Sequence, residues 1–230
     1  MKPDAQKLIT GSYQIALFLK EKDFSNFNKK FAKLFEIKEL ANANQIVLPS
    51  FFRINSEDSS IVVQFVNGKL DIFFNVTSDD QDLSKEPAIK GKVLDLTKKI
   101  LDSLNLEPII RIGVLAHAHY PVKEYDELIP IVDGTVLSSS VAKRMTSFSM
   151  SLTFAHDTKF LSKRCNRYFE IGYGERKRND SHATKALVIS SDVNTHQEEE
   201  ANFTTTNITD FILEAWPLNQ SASMIDFFWE

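Results

Sequence analysis

The chain has 230 residues, 43% apolar and 25% charged, with a net charge of −4 at pH 7. That composition is globular rather than disordered, and the charge excludes a global field that would draw the protein to nucleic acid or anionic membrane. Cys165 is the single cysteine, which excludes an intrachain disulfide and fits a reducing compartment.

No run approaches the roughly 20 apolar residues needed to span a bilayer. Near the start, Asp4, Gln6 and Lys7 precede the short apolar run IALFL, which does not read as a secretory signal. A cytoplasmic protein with no membrane role is expected.

In chain order, SYQIALFL (12–19) predicts a strand. DFSNFNKKFAKLF (23–35) sets Phe24, Phe27, Phe31, Leu34 and Phe35 at helical spacing, with Asp23 as cap and lysines opposite. A meander follows: FFRIN (51–55), IVVQFV (61–66) and LDIFFNV (70–76). The last two meet across Asn67-Gly68, a pair suited to the positive φ angles of a type I′ hairpin. In PAIKGKVLDLTKKILDSLNL (87–106), Ile89, Val93, Leu96, Ile100 and Leu104 make one helical stripe.

IIRIGVLAHA (109–118) predicts the next strand, and short helical pieces broken by Pro130 and Gly134 come after it. SFSMSLTFAH (147–156) alternates apolar and polar residues, and KFLSKRCNRYFEIGY (159–173) reads as its partner across HDT. KALVISSDV (185–193) is a further strand. NITDFILEAW (207–216) is a helix stopped by Pro217, and SASMIDFFWE ends the chain as an amphipathic piece.

The expected fold is α+β: antiparallel meander sheets with helices packed on one face. Two loosely repeated β-α-β-β-β-α units, residues 1–106 and 107–230, form one compact body.

Residues two apart on a strand share a face, so Arg111, His117 and His119 point the same way. Two imidazoles can begin a transition-metal site, completed from His156, Asp157, His182, Asp192 or His196. Arg111 on the same face works against a cation and favours an anionic or carboxylate ligand. From 159 to 178, Lys163, Arg164, Arg167, Arg176, Lys177 and Arg178 are interleaved with Tyr168, the residue types used for phosphate contact and base stacking.

Asp157 with Glu175-x-Lys177 has the residue types of a Mg²⁺-dependent nuclease, but Glu175 and Lys177 are expected in a loop. Cys165 lies mid-strand as a packing residue. No nucleophile elbow, P-loop or dinucleotide fingerprint occurs, so no catalytic residue and no cofactor is expected. Phe227, Phe228 and Trp229 stand at the terminus, where chains are usually polar. They either dock on their own domain or wait for a partner.

RIGVLAHAHY (111–120) and LVISSDVNTHQEEE…ITDFILEAW (187–216) resemble a sporadically distributed, uncharacterised bacterial protein family. Its members carry a central Arg-Ile-Gly-Leu strand, and a late Leu-x-x-Asp-Val type strand before an acidic loop and a terminal helix. Ala116 and His117 depart from it, standing where the family tends to have a charged or aromatic residue. The resemblance covers the C-terminal half, supplies no catalytic residues, and implies a bacterial accessory protein associated with mobile elements or defence.

The leading expectation is therefore a non-enzymatic binding or accessory protein acting through protein–protein contact or self-association, within a bacterial multi-protein system. The alternative is a nucleic-acid-binding protein, remotely a nuclease, using the 159–178 hairpin.

Overall fold

A computed structural model of the chain describes residues 4, 7–20, 27–48, 51–76, 86–106, 108–132, 149–161, 163–176, 184–196 and 202–229. They form an α+β structure in which nine strands make one sheet. The strands are β1 (Ile9–Leu19), β2 (Asn44–Leu48), β3 (Phe51–Asn55), β4 (Ile61–Val66), β5 (Lys69–Asn75), β6 (Ile109–Pro121), β7 (Ser149–Phe160), β8 (Lys163–Arg176) and β9 (Thr184–Thr195). Their order across the sheet is β2-β3-β4-β5-β1-β6-β9-β8-β7, and every neighbouring pair is antiparallel.

The helices are α1 (Phe27–Ala32), α2 (Glu86–Leu104), α3 (Ile129–Val132), α4 (Thr205–Ala215) and α5 (Ser221–Trp229).

Directly opposed residues of antiparallel neighbours share a face, so the register assigns each side chain. On one face Leu17 lies between Leu70 and Ile112, Ile15 between Ile72 and Val114, and Tyr13 between Phe74 and Ala116. All nine are buried. Helical residues cover them: Trp216, just after α4, stacks on Tyr13 with ring centroids 4.3 Å apart, and Phe31 stacks on Phe52 at 3.8 Å. From α2, Val93, Leu96, Ile100 and Leu104 enter the same core, which is the stripe the spacing predicts.

Several boundaries differ from expectation for local reasons. The first helix is a short α1 that tightens into a 3-10 turn at Lys33–Glu36, and residues 21–26, including the expected cap, lie outside the described residues. The β4–β5 turn is as expected: Asn67 has φ 49° and Gly68 φ 81°. The β7–β8 hairpin does not turn at HDT. A register shift between His156 and Lys159 carries β7 on to Phe160, whose buried ring meets Phe211 at 5.2 Å.

The turn falls instead at Leu161, with φ 47°. β8 then runs past Gly174 to Arg176, so Glu175 is paired with Lys185 on a strand rather than in a loop. Helix α4 begins at Thr205 because Thr204 and Asn207 cap each other: the Asn207 amide N–H donates to Thr204 Oγ1 and the Thr204 N–H to Asn207 Oδ1. β2 corresponds to no predicted element.

Replacing Trp216 with Ala removes the ring stacked on Tyr13 and opens a cavity over the sheet centre. The expected loss is about 3–5 kcal/mol of folding stability, measured by denaturant unfolding. A loss below about 1 kcal/mol would refute the placement of this indole in the core.

Candidate functional site

The opposite face of the central strands is polar and built in rows. Phe18 lies between Lys69 and Arg111, Ala16 between Asp71 and Gly113, and Ser12 between Asn75 and His117. β9 extends these rows with Asn194 beside Gly113, Asp192 beside Leu115 and Ser190 beside His117. Because Ala16 and Gly113 are small, the long side chains around them converge over a low floor. A methyl at Gly113 would meet Asp192 Oδ1 at 3.4 Å and Ala16 Cβ at 3.5 Å.

Asp71 is satisfied twice, accepting from Gln14 Nε2 at 2.7 Å and pairing with Lys69 Nζ at 2.8 Å. Arg111 lies 4.8 Å over the Phe18 ring and donates through Nη2 to Asn194 Oδ1 at 3.0 Å. Its Nε, Asp192 Oδ1 and Asn194 Nδ2 are buried and make no hydrogen bond among the described residues. Asn194 itself is only 1% exposed. Burial pushes the Asp192 carboxyl above its ordinary range, opposed in part by the Asn194 amide and by Arg111 and Lys69. The patch therefore offers two buried donors and one acceptor between charges that balance in sign.

Of the expected ligand residues, Arg111, His117 and His119 do share this face. His117 Nδ1 and Ser190 Oγ share a hydrogen bond of 2.8 Å, and burial lowers the His117 pKa against a smaller upward pull from Glu170. His119 is buried near the end of the strand. His156 is paired with Cys165 in the β7–β8 ladder, and His182 lies outside the described residues. Among the described residues no three His, Cys, Asp or Glu side chains are grouped to hold a metal.

Strand alternation divides the basic hairpin. Arg164 and Tyr168 share a face with Asn166 and Glu170, whereas Arg167 is turned to the helix side and is only 5% exposed. There Arg167 donates to the Leu218 carbonyl, to Ser223 Oγ at 3.3 Å and to Ser191 Oγ at 3.4 Å. Its guanidinium lies 4.3 Å over the Phe169 ring, and burial lowers its pKa to about 10. Lys163 and Arg176 begin and end β8, while Lys177 and Arg178 lie outside the described residues. Cys165, beside them, is buried with its thiol pKa raised by desolvation, which suits packing rather than nucleophilic chemistry.

The terminal helix α5 docks on the sheet. Met224, Ile225 and Phe228 are buried, and Phe227 stacks on Phe169 at 4.0 Å while remaining 38% exposed. Trp229 ends α5. A shallow cavity of about 160 Å³ lies between β5 and α2, with Ser60, Asn75 and Lys92 among its polar lining and Phe74, Ile89 and Val93 below. Among the described residues, Lys92 is the one charged side chain in its lining. No helix among the described residues is long and apolar enough to cross a membrane.

The largest departure from expectation is at the rim of the sheet. Among the described residues β2 is the terminal strand, with β3 its one neighbour, and all five of its residues are exposed. Ile46 is 51% exposed, Val47 43% and Leu48 57%, half of the large apolar side chains exposed among the described residues. One clue was legible: NQIVL is a neutral run ending in three apolar residues just before Pro49.

No model of a known protein family matches this chain, and no curated protein matches it. Its chemistry has to be read from its own geometry.

The two shifted groups on the polar face give opposite pH responses. His117 has a folded pKa below its ordinary 6.5, so its support for the fold is complete above that pH and is lost as pH falls through the lowered value. Asp192 has a folded pKa above its ordinary 3.8, so its own contribution to stability is fully present below that pH and is lost as pH rises through the raised value. Denaturant unfolding across this range tests both. His117→Gln is expected to flatten the loss below pH 6.5. Asp192→Asn is expected to stabilise the protein at neutral pH but not below pH 3.8. An unchanged profile in either variant counts against the burial assigned to that group.

Proposed function

We propose that the chain is a non-enzymatic binding protein acting through protein–protein contact, with the free edge of β2 as its contact surface. The observation that carries this reading is the exposure of Ile46, Val47 and Leu48 on a strand whose outer side pairs with no other strand among the described residues. An edge strand presents a row of backbone donors and acceptors to which an extended segment can add as a further strand. Proteins that avoid such pairing blunt their edges with charge, proline or bulges. β2 has no charged residue, and its pairing with β3 has no register shift.

Each new backbone hydrogen bond adds about 1 kcal/mol net, and covering a half-exposed aliphatic side chain adds about as much. Ile46 and Leu48 share the sheet face that carries Arg53 and Phe51, and Val47 the face that carries Phe52, so an added strand is gripped on both sides.

We further infer that residues 1–106 and 107–230 are related units on a common β-α-β-β-β-α order, to which β2 adds one more strand in the first half. In support, β3-β4-β5-β1 in one half corresponds to β7-β8-β9-β6 in the other, with β1 and β6 meeting at the centre. The likeness to that bacterial family supports an accessory role in a multi-protein system, and the single buried thiol supports a cytoplasmic setting. The nucleic-acid alternative has less support, because Arg167 faces the core and leaves Arg164 and Tyr168 without it.

Selection of short extended peptides against the purified protein tests the edge reading. The selected peptides are expected to lose binding to Val47→Pro, which removes a ladder donor, and to retain it with Phe227→Ala. Peptides indifferent to Val47→Pro, or the recovery of none, would overturn it.

A further inference from the structure

We propose that the occupant of the β2 edge is a second copy of this chain, added antiparallel about a two-fold axis through Val47; the proposal rests on the edge reading above. Three observations single out this partner.

First, Asn44–Leu48 contains no Lys, Arg, Asp or Glu. Two copies therefore meet without opposing like charges, and the strand carries no charge with which to select an oppositely charged peptide.

Second, the apolar residues are self-complementary in one register. With the axis at Val47, Val47 opposes Val47 of the second copy, and Ile46 opposes Leu48. With the axis at Ile46, Val47 would oppose Gln45 and Leu48 would oppose Asn44, leaving two apolar residues against amides. Only the first arrangement matches all three exposed aliphatic side chains to aliphatic partners, on both faces of the joined sheet.

Third, the β2–β3 register is unbroken along the whole strand, so the outer edge repeats without a bulge. Pro49 follows directly and has no N–H to donate, which limits how far the new pairing can extend.

The contact is isologous and uses up the edge that forms it, so at β2 it closes at two copies. A five-residue strand is a small interface. The dimer is therefore concentration-dependent rather than obligate.

Sedimentation velocity across a concentration series, together with cysteine cross-linking, tests the proposal. The wild-type protein is expected to show a reversible monomer–dimer equilibrium, and Val47→Lys, which opposes two ammonium groups across the axis, to remain monomeric. Unfolding curves verify that Val47→Lys is folded. In oxidising conditions Val47→Cys is expected to form a covalent dimer through position 47, with buried Cys165 left unreacted, and Ile46→Cys to cross-link far less. A wild-type protein that stays monomeric throughout overturns self-pairing, as does a dimer that survives Val47→Lys or cross-links best through position 46. If self-pairing fails while selected peptides still require Val47, the edge remains a surface for other chains. If both fail, the edge reading falls with it.

Discussion

The pairing of β1 with β6 is the interaction on which the rest of the molecule depends. These two strands lie at the middle of the sheet and are paired on both sides, β1 with β5 and β6 with β9. One face of the pair is closed by Trp216 and the helices. The reverse face is partly buried, so most of the polar side chains there are held by a neighbour. That burial explains why Gln14 is bonded to Asp71, Asp71 to Lys69 and Arg111 to Asn194. It also explains the cost seen at Asp192, whose buried carboxyl has an oxygen with no donor and a raised pKa. The polar patch and the apolar core are two sides of the same constraint.

Arg167 shows how the constraint acts at a distance from the centre. The residue stands on β8 at a position that alternation assigns to the covered face, and a guanidinium cannot be neutralised there at ordinary pH. The protein holds it with the Leu218 carbonyl, two serine hydroxyls and the Phe169 ring. Two of those groups come from the segment that leads into and forms α5. The C-terminal helix is thus fastened by a buried cation as well as by Met224, Ile225 and Phe228, which accounts for an apolar segment docked on its own sheet.

Much of this fold was legible because its signals are local. The Asn67-Gly68 turn, the α2 stripe and the shared face of Arg111, His117 and His119 on β6 each follow from a few neighbouring residues, and the structure has all three. What escaped was set by pairing. The turn at Leu161 depends on a register shift that HDT does not announce, and the extension of β8 through Glu175 depends on β9 being there to receive it. Alternation alone assigns Arg167 and Tyr168 to opposite faces, but not which face the helices take. The residues that complete the polar patch, Asp71 on β5 and Asn194 on β9, are more than a hundred positions apart and meet only once the sheet order is known. β2 was invisible for a different reason: five residues without alternation resemble any apolar stretch beside a proline.

The same sheet explains why its rim differs from its middle. Along β3, β4 and β5, apolar residues such as Ile54, Val63 and Ile72 are buried, because a strand lies on either side and helices lie across one face. Moving outward to β2 removes one neighbouring strand, and every residue of β2 becomes exposed. Ile and Val suit a strand backbone in their own right, but at β2 the side chains of Ile46, Val47 and Leu48 leave their apolar area in water. Covering that edge would take their apolar area out of water, a gain that a polar strand would not offer. The composition of β2 therefore fits the assembled form proposed above, as the composition of β1 fits the folded one.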